Sequence, residues 1–181
     1  SPGTVAGTFG GYSAFAGDGP ALVYAAFGPG LPLSSQELSQ VYGRSPGPDP
    51  PELLSRPQGP LPAESSLLLS TGIDEDSARS VSADGRYVVF MSASPVFGSA
   101  AVVQILRRDL LTGETVVVSR AAGQDGALAN ADCGLPVISA DGRRVSFQSS
   151  ATNLHPDDPT PDGDLFVRDV ATGELLLASR A

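Results

Sequence analysis

Ser139-Ala140-Asp141-Gly142-Arg143-Arg144-Val145-Ser146-Phe147 is the stretch on which the fold of this chain turns. An Asp-Gly pair between two apolar runs marks a tight strand-to-strand turn. Glycine takes a positive φ without a Cβ clash, and aspartate bonds its own backbone. After the turn, Val145, Phe147 and Ser149 alternate with Arg144, Ser146 and Gln148, which is the period of a strand with one face in the core and one in water. The motif recurs as Ser82-Ala83-Asp84-Gly85-Arg86, followed by Val88 and Phe90.

Further anchors keep step with it. Arg108-Asp109 with Thr112-Gly113-Glu114 returns as Arg168-Asp169 with Thr172-Gly173-Glu174, and the two copies end in Ser119-Arg120 and Ser179-Arg180. A degraded first copy emerges when Asp18-Gly19 is set on the Asp-Gly anchor. Leu22-Val23-Tyr24 then aligns with the strand after the turn, and Arg44 and Ser55-Arg56 keep the arginine spacing of the other copies. Self-similarity at this period indicates a repeat architecture. The chain divides into a Gly/Pro-rich degraded unit at 1–62, a second unit at 63–122 and a third at 123–181. Strands are predicted at 87–92, 144–149 and 165–168, with Val137-Ile138 and Leu175 to Ala178 completing the third unit. Loops are predicted at Ala26 to Ser39, Ala93 to Val102, Ser150 to Gly163 and Pro57 to Asp76, the last containing Leu67-Leu68-Leu69, which reads either as an extra strand or as an alternative fourth strand of the first unit. Four short antiparallel strands per unit give an all-β chain, a β-propeller fragment of three four-stranded blades. The alternative is a β-sandwich, which requires no recurrent unit.

Composition narrows the function. A net charge of −9 opposes a phosphate backbone, so no nucleic-acid partner is expected. No apolar run approaches the ~20 residues of a membrane-spanning helix, and no membrane insertion is expected. Arg86, Arg107, Arg108, Arg143 and Arg144 occur singly or in pairs and read as solvated strand faces. The start Ser1-Pro2-Gly3 reads as a processed or excised piece of a longer product from which a secretory signal was removed.

Chemistry is sparse. Acyl transfer needs a base beside its nucleophile, and the one histidine, His155, sits in a loop reading Leu154-His155-Pro156-Asp157-Asp158, with no Gly-x-Ser-x-Gly elbow elsewhere. Cys133, the sole cysteine, excludes an internal disulfide and reads as a small buried hydrophobe. Asp157, Asp158, Asp162 and Asp164 have the ligand character of a calcium loop but not EF-hand spacing, and equally describe a solvated turn. Gly3, Gly7, Gly10 and Gly11 do not form a dinucleotide fingerprint. No catalytic, cofactor-binding or metal-ligating residue is assigned, no cofactor is expected, and the chain is read as non-enzymatic.

The Ser-Ala-Asp-Gly-Arg-x-Val-x-Phe core, followed by Phe166-Val167-Arg168-Asp169 and Thr172-Gly173, resembles the TolB-type, WD-like β-propeller repeat carried by many bacterial periplasmic and secreted proteins. The third unit matches best. The first has Arg44-Ser45 for Arg-Asp and lacks the Thr-Gly turn. The resemblance implies a secreted or periplasmic scaffold or binding module for protein or cell-envelope contacts. Such repeats also occur as the cap of a secreted serine hydrolase. A carbohydrate-binding propeller is the third reading, against which the absence of Trp counts. Propellers close with four to eight blades, so three repeats leave edges that call for further repeats of a parent chain or for self-association.

Overall fold

The structure is a computed structural model, describing residues 8–15, 22–27, 40–44, 52–54, 71–72, 80–98 and 102–179. The described elements are β-strands and one 3-10 turn at Pro95–Phe97. The strands are β1 (Thr8–Phe15), β2 (Leu22–Phe27), β3 (Gln40–Arg44), β4 (Glu52–Leu53), β5 (Thr71–Gly72), β6 (Tyr87–Ser92), β7 (Gln104–Asp109), β8 (Thr115–Val117), β9 (Cys133–Ile138), β10 (Arg144–Ser149), β11 (Asp164–Asp169) and β12 (Leu175–Leu177). They form three antiparallel four-stranded sheets, β1–β4, β5–β8 and β9–β12, in each of which strands adjacent in sequence are hydrogen-bonded neighbours. A sandwich of Greek keys would instead send strands between sheets.

Strands β6 and β10 begin and end where the period-2 pattern places them. The register carries the repeat into the first unit: Leu22 pairs with Arg44, Val88 with Arg108, and Val145 with Arg168. One strand further on, Tyr42 pairs with Leu53, Leu106 with Val117, and Phe166 with Leu177. The expectations that fell on Asp18-Gly19, Ser55-Arg56, Leu67 to Leu69 and Arg180 lie outside the described residues. The loop expected from Ala26 begins later, because Ala26 and Phe27 still pair with β1.

The first strand of a unit is the irregular one. In β9, Gly134 opposes Gln148 and Val137 opposes Ser146, so Leu135 and Pro136 together face the single residue Phe147. This is a β-bulge on an edge strand, the position that tolerates proline, and Leu135 takes a positive φ of 51° there. In the second unit the same strand is divided. Thr71 pairs with Ser92 as Cys133 does with Ser149, and Val81 bridges Val88 as Ile138 pairs with Val145, but the intervening chain is longer.

Side-chain burial corrects one expectation. In β10 one face is buried and the other mostly open, as the alternation requires. In β6, however, Val88, Val89 and Phe90 are all fully buried. The middle sheet is covered on both sides. Val88, Phe90 and Leu106 pack with Leu54 and Phe97, while Val89, Ile105 and Val118 pack on Val145, Phe147 and Phe166 of the third sheet. The Phe147 and Phe166 rings stack at 5.6 Å. Phe90→Ala and Phe147→Ala should each lower unfolding free energy by about 3–5 kcal/mol, measured by denaturant titration, and neutrality of either would mean its face lies outside the core.

Candidate functional site

The recurrent motif builds one hydrogen-bonded frame. At Asp84-Gly85, the Ser82 hydroxyl donates to Asp84 Oδ1 (2.6 Å), which also accepts the Arg86 N–H (3.0 Å), while Ser82 Oγ accepts the Tyr87 N–H (2.9 Å). The third unit repeats each contact through Ser139, Asp141, Arg143 and Arg144. Gly85 and Gly142 take φ near +70° (72° and 71°), so glycine is required. The arginine that follows reaches the other hairpin of its sheet. Arg86 Nη2 lies 2.7 Å from Asp109 Oδ2, and Arg143 Nε 2.6 Å from Asp169 Oδ2. Each of these aspartates also accepts two backbone N–H groups of its own turn, from Leu111 and Thr112 or from Ala171 and Thr172. Arg86 and these amides hold the Asp109 carboxyl down at about 2. The amides of the β11–β12 turn, with Arg143, likewise hold Asp169 below the usual carboxylate range.

A second frame joins the second sheet to the third. The guanidinium groups of Arg86 and Arg107 both lie over the Tyr87 ring, 4.8 and 4.5 Å from its centroid. A Cβ added to Gly142 would fall 2.1 Å from Tyr87 Cδ2, so the third unit's turn seats directly on that ring. Arg107 Nη1 donates to Gly142 O (2.8 Å), and the Ala83 N–H donates to Ala140 O (2.9 Å). At the other end of the interface Gly173 seats against Gly123, whose N–H bonds Gly173 O (2.9 Å).

Of the arginines read as solvated faces, Arg143 and Arg144 are exposed, but Arg108 is not. Arg108 and Arg168 are both 2 % exposed. Arg168 donates to the carbonyls of Arg120, Ala121 and Gly123, so a third-unit cation holds the linker leaving the second unit. Arg108 bonds Thr115 Oγ1 and lies 3.7 Å from Glu52 of the first sheet. A signal for this was present: Arg108 and Arg168 fall two residues after Leu106 and Phe166, on the inward parity of their strands. The recurrent Ser of Ser-Arg also has a task. Ser119 Oγ accepts the Ile105 N–H and donates to Gln104 Oε1, and Ser179 does the same for Leu165 and Asp164.

The residues weighed for chemistry lie apart from these frames. His155 Nδ1 accepts the Asp157 N–H (3.2 Å) and is occupied within its own loop. Cys133 is buried, its Sγ 3.3 Å from Ser149 Oγ, and burial pushes the thiol up, away from the reactive thiolate. Among the described residues no group of three or more His, Cys, Asp or Glu side chains is placed to hold a metal ion. Asp158 nevertheless turns inward. It is 3 % exposed, its Oδ2 has no hydrogen-bond partner, and burial followed by the charge of Asp164 raises its carboxyl above the ordinary value. Between the second and third sheets lies an open groove of about 660 Å³ lined by Arg107, Glu114, Arg120, Gln124, Asp125 and Arg168. Charges of both signs line it beside Val96, Phe97, Val116, Val117 and Val170.

No family model and no curated protein matches the chain. Solved structures do. TolB from Acinetobacter baumannii superposes with a TM-score of 0.56 at 15 % identity, over 96 % of this chain and 33 % of that one. The β-propeller domain of the Trilobed protease from Pyrococcus furiosus, which has an open velcro topology, superposes with a TM-score of 0.53 at 12 % identity, over 94 % of this chain and 41 % of that one. The chain thus spans well under half the length of each. The likeness establishes the fold: all-β, of propeller type.

Asp109→Asn should destabilise the protein by about 1–3 kcal/mol at neutral pH, because it leaves a charged partner and two amides poorly paired. In the parent protein that contribution is present above the ordinary aspartate value of 3.8 and is lost as pH falls toward about 2, so the variant's acid-denaturation limb should be the shallower one. Asp158→Asn should have the opposite sign. It removes a charge that folding disfavours, so its melting temperature at neutral pH should equal or exceed the parent's, with the difference shrinking as pH falls to the ordinary aspartate range.

Proposed function

We propose that the three sheets are consecutive blades of a β-propeller and that the chain is part of a non-enzymatic binding module for a protein or cell-envelope component. The observation that carries this reading is the inter-sheet frame, in which one unit's Asp-Gly turn seats on Tyr87 and Arg107 of the unit before. Such side-by-side packing leaves the chemistry of the unit to structure and the groove and loops to contacts. The propeller-type fold of the two solved structures supports the blade reading. The units would run 1–62, 63–122 and 123–181. A secreted or periplasmic location follows from the repeat family that the sequence resembles, and the partner would be a protein engaging the mixed-charge groove beside Arg120 and Asp125.

A second reading, favoured by the protease propeller among the solved structures, makes this the cap of a hydrolase whose catalytic residues lie outside these 181 residues. The two separate in one experiment. The immobilised chain, cross-linked in a bacterial envelope extract, should capture a defined protein, and Asp125→Lys should reduce that capture while leaving the melting temperature unchanged. Capture that is indifferent to the groove, together with a hydrolase domain in the same reading frame, would replace the first reading with the second.

A further inference from the structure

The groove between the second and third sheets concentrates charge that the fold leaves unbalanced. Arg86, Arg108 and Arg143 each have a carboxylate within ion-pair distance. Among the described residues, the three arginines that line the groove, Arg107, Arg120 and Arg168, have none. Backbone carbonyls meet them instead: Gly142 O accepts from Arg107, Gly126 O from Arg120, and three linker carbonyls from Arg168. A carbonyl satisfies an N–H but does not cancel the positive charge, and a charge taken out of water is costly until an opposite charge meets it. Arg168 is the extreme case. Burial, and then the like charge of Arg120, disfavour its charged form. Burial disfavours the charged form of Arg107 as well, and its Nε is buried without a hydrogen-bond partner.

The two signs also differ in depth. Arg168 is buried and Arg107 and Arg120 are half-buried, whereas Glu114 and Asp125 are exposed. Three guanidinium groups against two carboxylates leave an excess of one positive charge in the groove. A single carboxylate cancels that excess. A phosphate, carrying about −1.5 to −2 at neutral pH, overshoots it and is repelled by the two exposed acids. Arg107 and Arg120 each give one of the five N–H donors of a guanidinium to a carbonyl, leaving others for an oxyanion. Val116, Val117 and Val170 line the same groove and suit the apolar chain next to such a group. We propose that Arg107, Arg120 and Arg168 make this groove a receptor for the carboxylate of an acidic side chain carried on a protein segment. The inference rests on the groove reading above and names the group the partner presents. Arg107 and Arg120 donate to that carboxylate, and Arg168, its donors engaged by the linker, contributes its charge from below.

Titration of the full chain with an acetylated, amidated valine-aspartate-valine tripeptide, followed by NMR at the guanidinium N–H signals of Arg107 and Arg120, tests it. The shifts should saturate, weaken as salt is raised, and require the charge: the asparagine counterpart of the peptide should bind more than ~10-fold less tightly, the loss expected for a hydrogen bond to a charged group. Arg120→Gln should weaken the aspartate peptide to the same degree. Glu114→Gln should tighten it several-fold by removing a like charge, and it keeps the fold, because the side chain is exposed and the turn's hydrogen bonds use the Glu114 backbone. Should Arg120→Gln fail to fold, the Glu114 variant decides. Shifts that do not saturate, equal binding of the asparagine peptide, or affinity unmoved by Glu114→Gln would overturn the proposal, as would inorganic phosphate binding more tightly than the aspartate peptide. Peptide binding without capture of an envelope protein leaves this site standing, and capture by a chain blind to the peptide does the reverse, so the two readings fail separately.

Discussion

A single carboxylate in each of the second and third units fixes the relation between its two hairpins. Asp109 and Asp169 each face three donors, two backbone N–H groups at their own turn and the guanidinium of the arginine that closes the other turn. Charge-assisted hydrogen bonds of this kind are about twice as strong as neutral ones. Because the donors come from the two neighbouring hairpin turns at one end of a sheet, they tie both hairpins to one register. The short side chain matters, since the carboxyl must bond amides two and three residues ahead while still meeting Arg86 or Arg143. With that register set, the apolar residues of each strand fall on the face where a neighbouring sheet meets them.

The neighbouring sheet is then held by shape more than by charge. Gly142 lets a backbone turn approach an aromatic ring, and Gly173 lets another approach the linker at Gly123 and Gln124. These are close contacts: the second unit's Tyr87 receives Gly142, and the linker entering the third unit receives Gly173. The middle sheet packs on the sheets before and after it in the chain.

Much of the local structure was legible from residues alone. The limits of β6 and β10 follow from a period-2 pattern beginning at an Asp-Gly turn, and the pairings of Leu22, Val88 and Val145 follow from the spacing of the arginines. Less legible was anything decided between units. β10 alternates apolar with polar residues whereas β6 is apolar from Tyr87 to Met91, and Val89 is buried where Ser146 is not, because another sheet meets the Val89 face. The burial of Arg108 was misread, and the partners of Arg168 were not legible for a similar reason: the carbonyls that satisfy Arg168 lie 45 to 48 residues earlier in the chain. The same holds for the carboxyl of Asp158, whose inward turn is set by the fold of its loop and not by the density of acids around it.

Arg168 also implies an order of events as the chain emerges during synthesis. The linker at Arg120 to Gly123 leaves the second unit with carbonyls whose donor has not yet been made, and they remain in water until the third unit's β11 is delivered. The second unit is thus finished by the third. A ribosome pausing between the two would expose a sheet whose Val89 face is bare and whose exit strand is untethered, which is the moment at which a nascent chain needs a chaperone. Loss of residues from the C-terminal side would for the same reason loosen the unit before the break, while the turn frame of that unit, closed by Arg86 and Asp109, would stay intact.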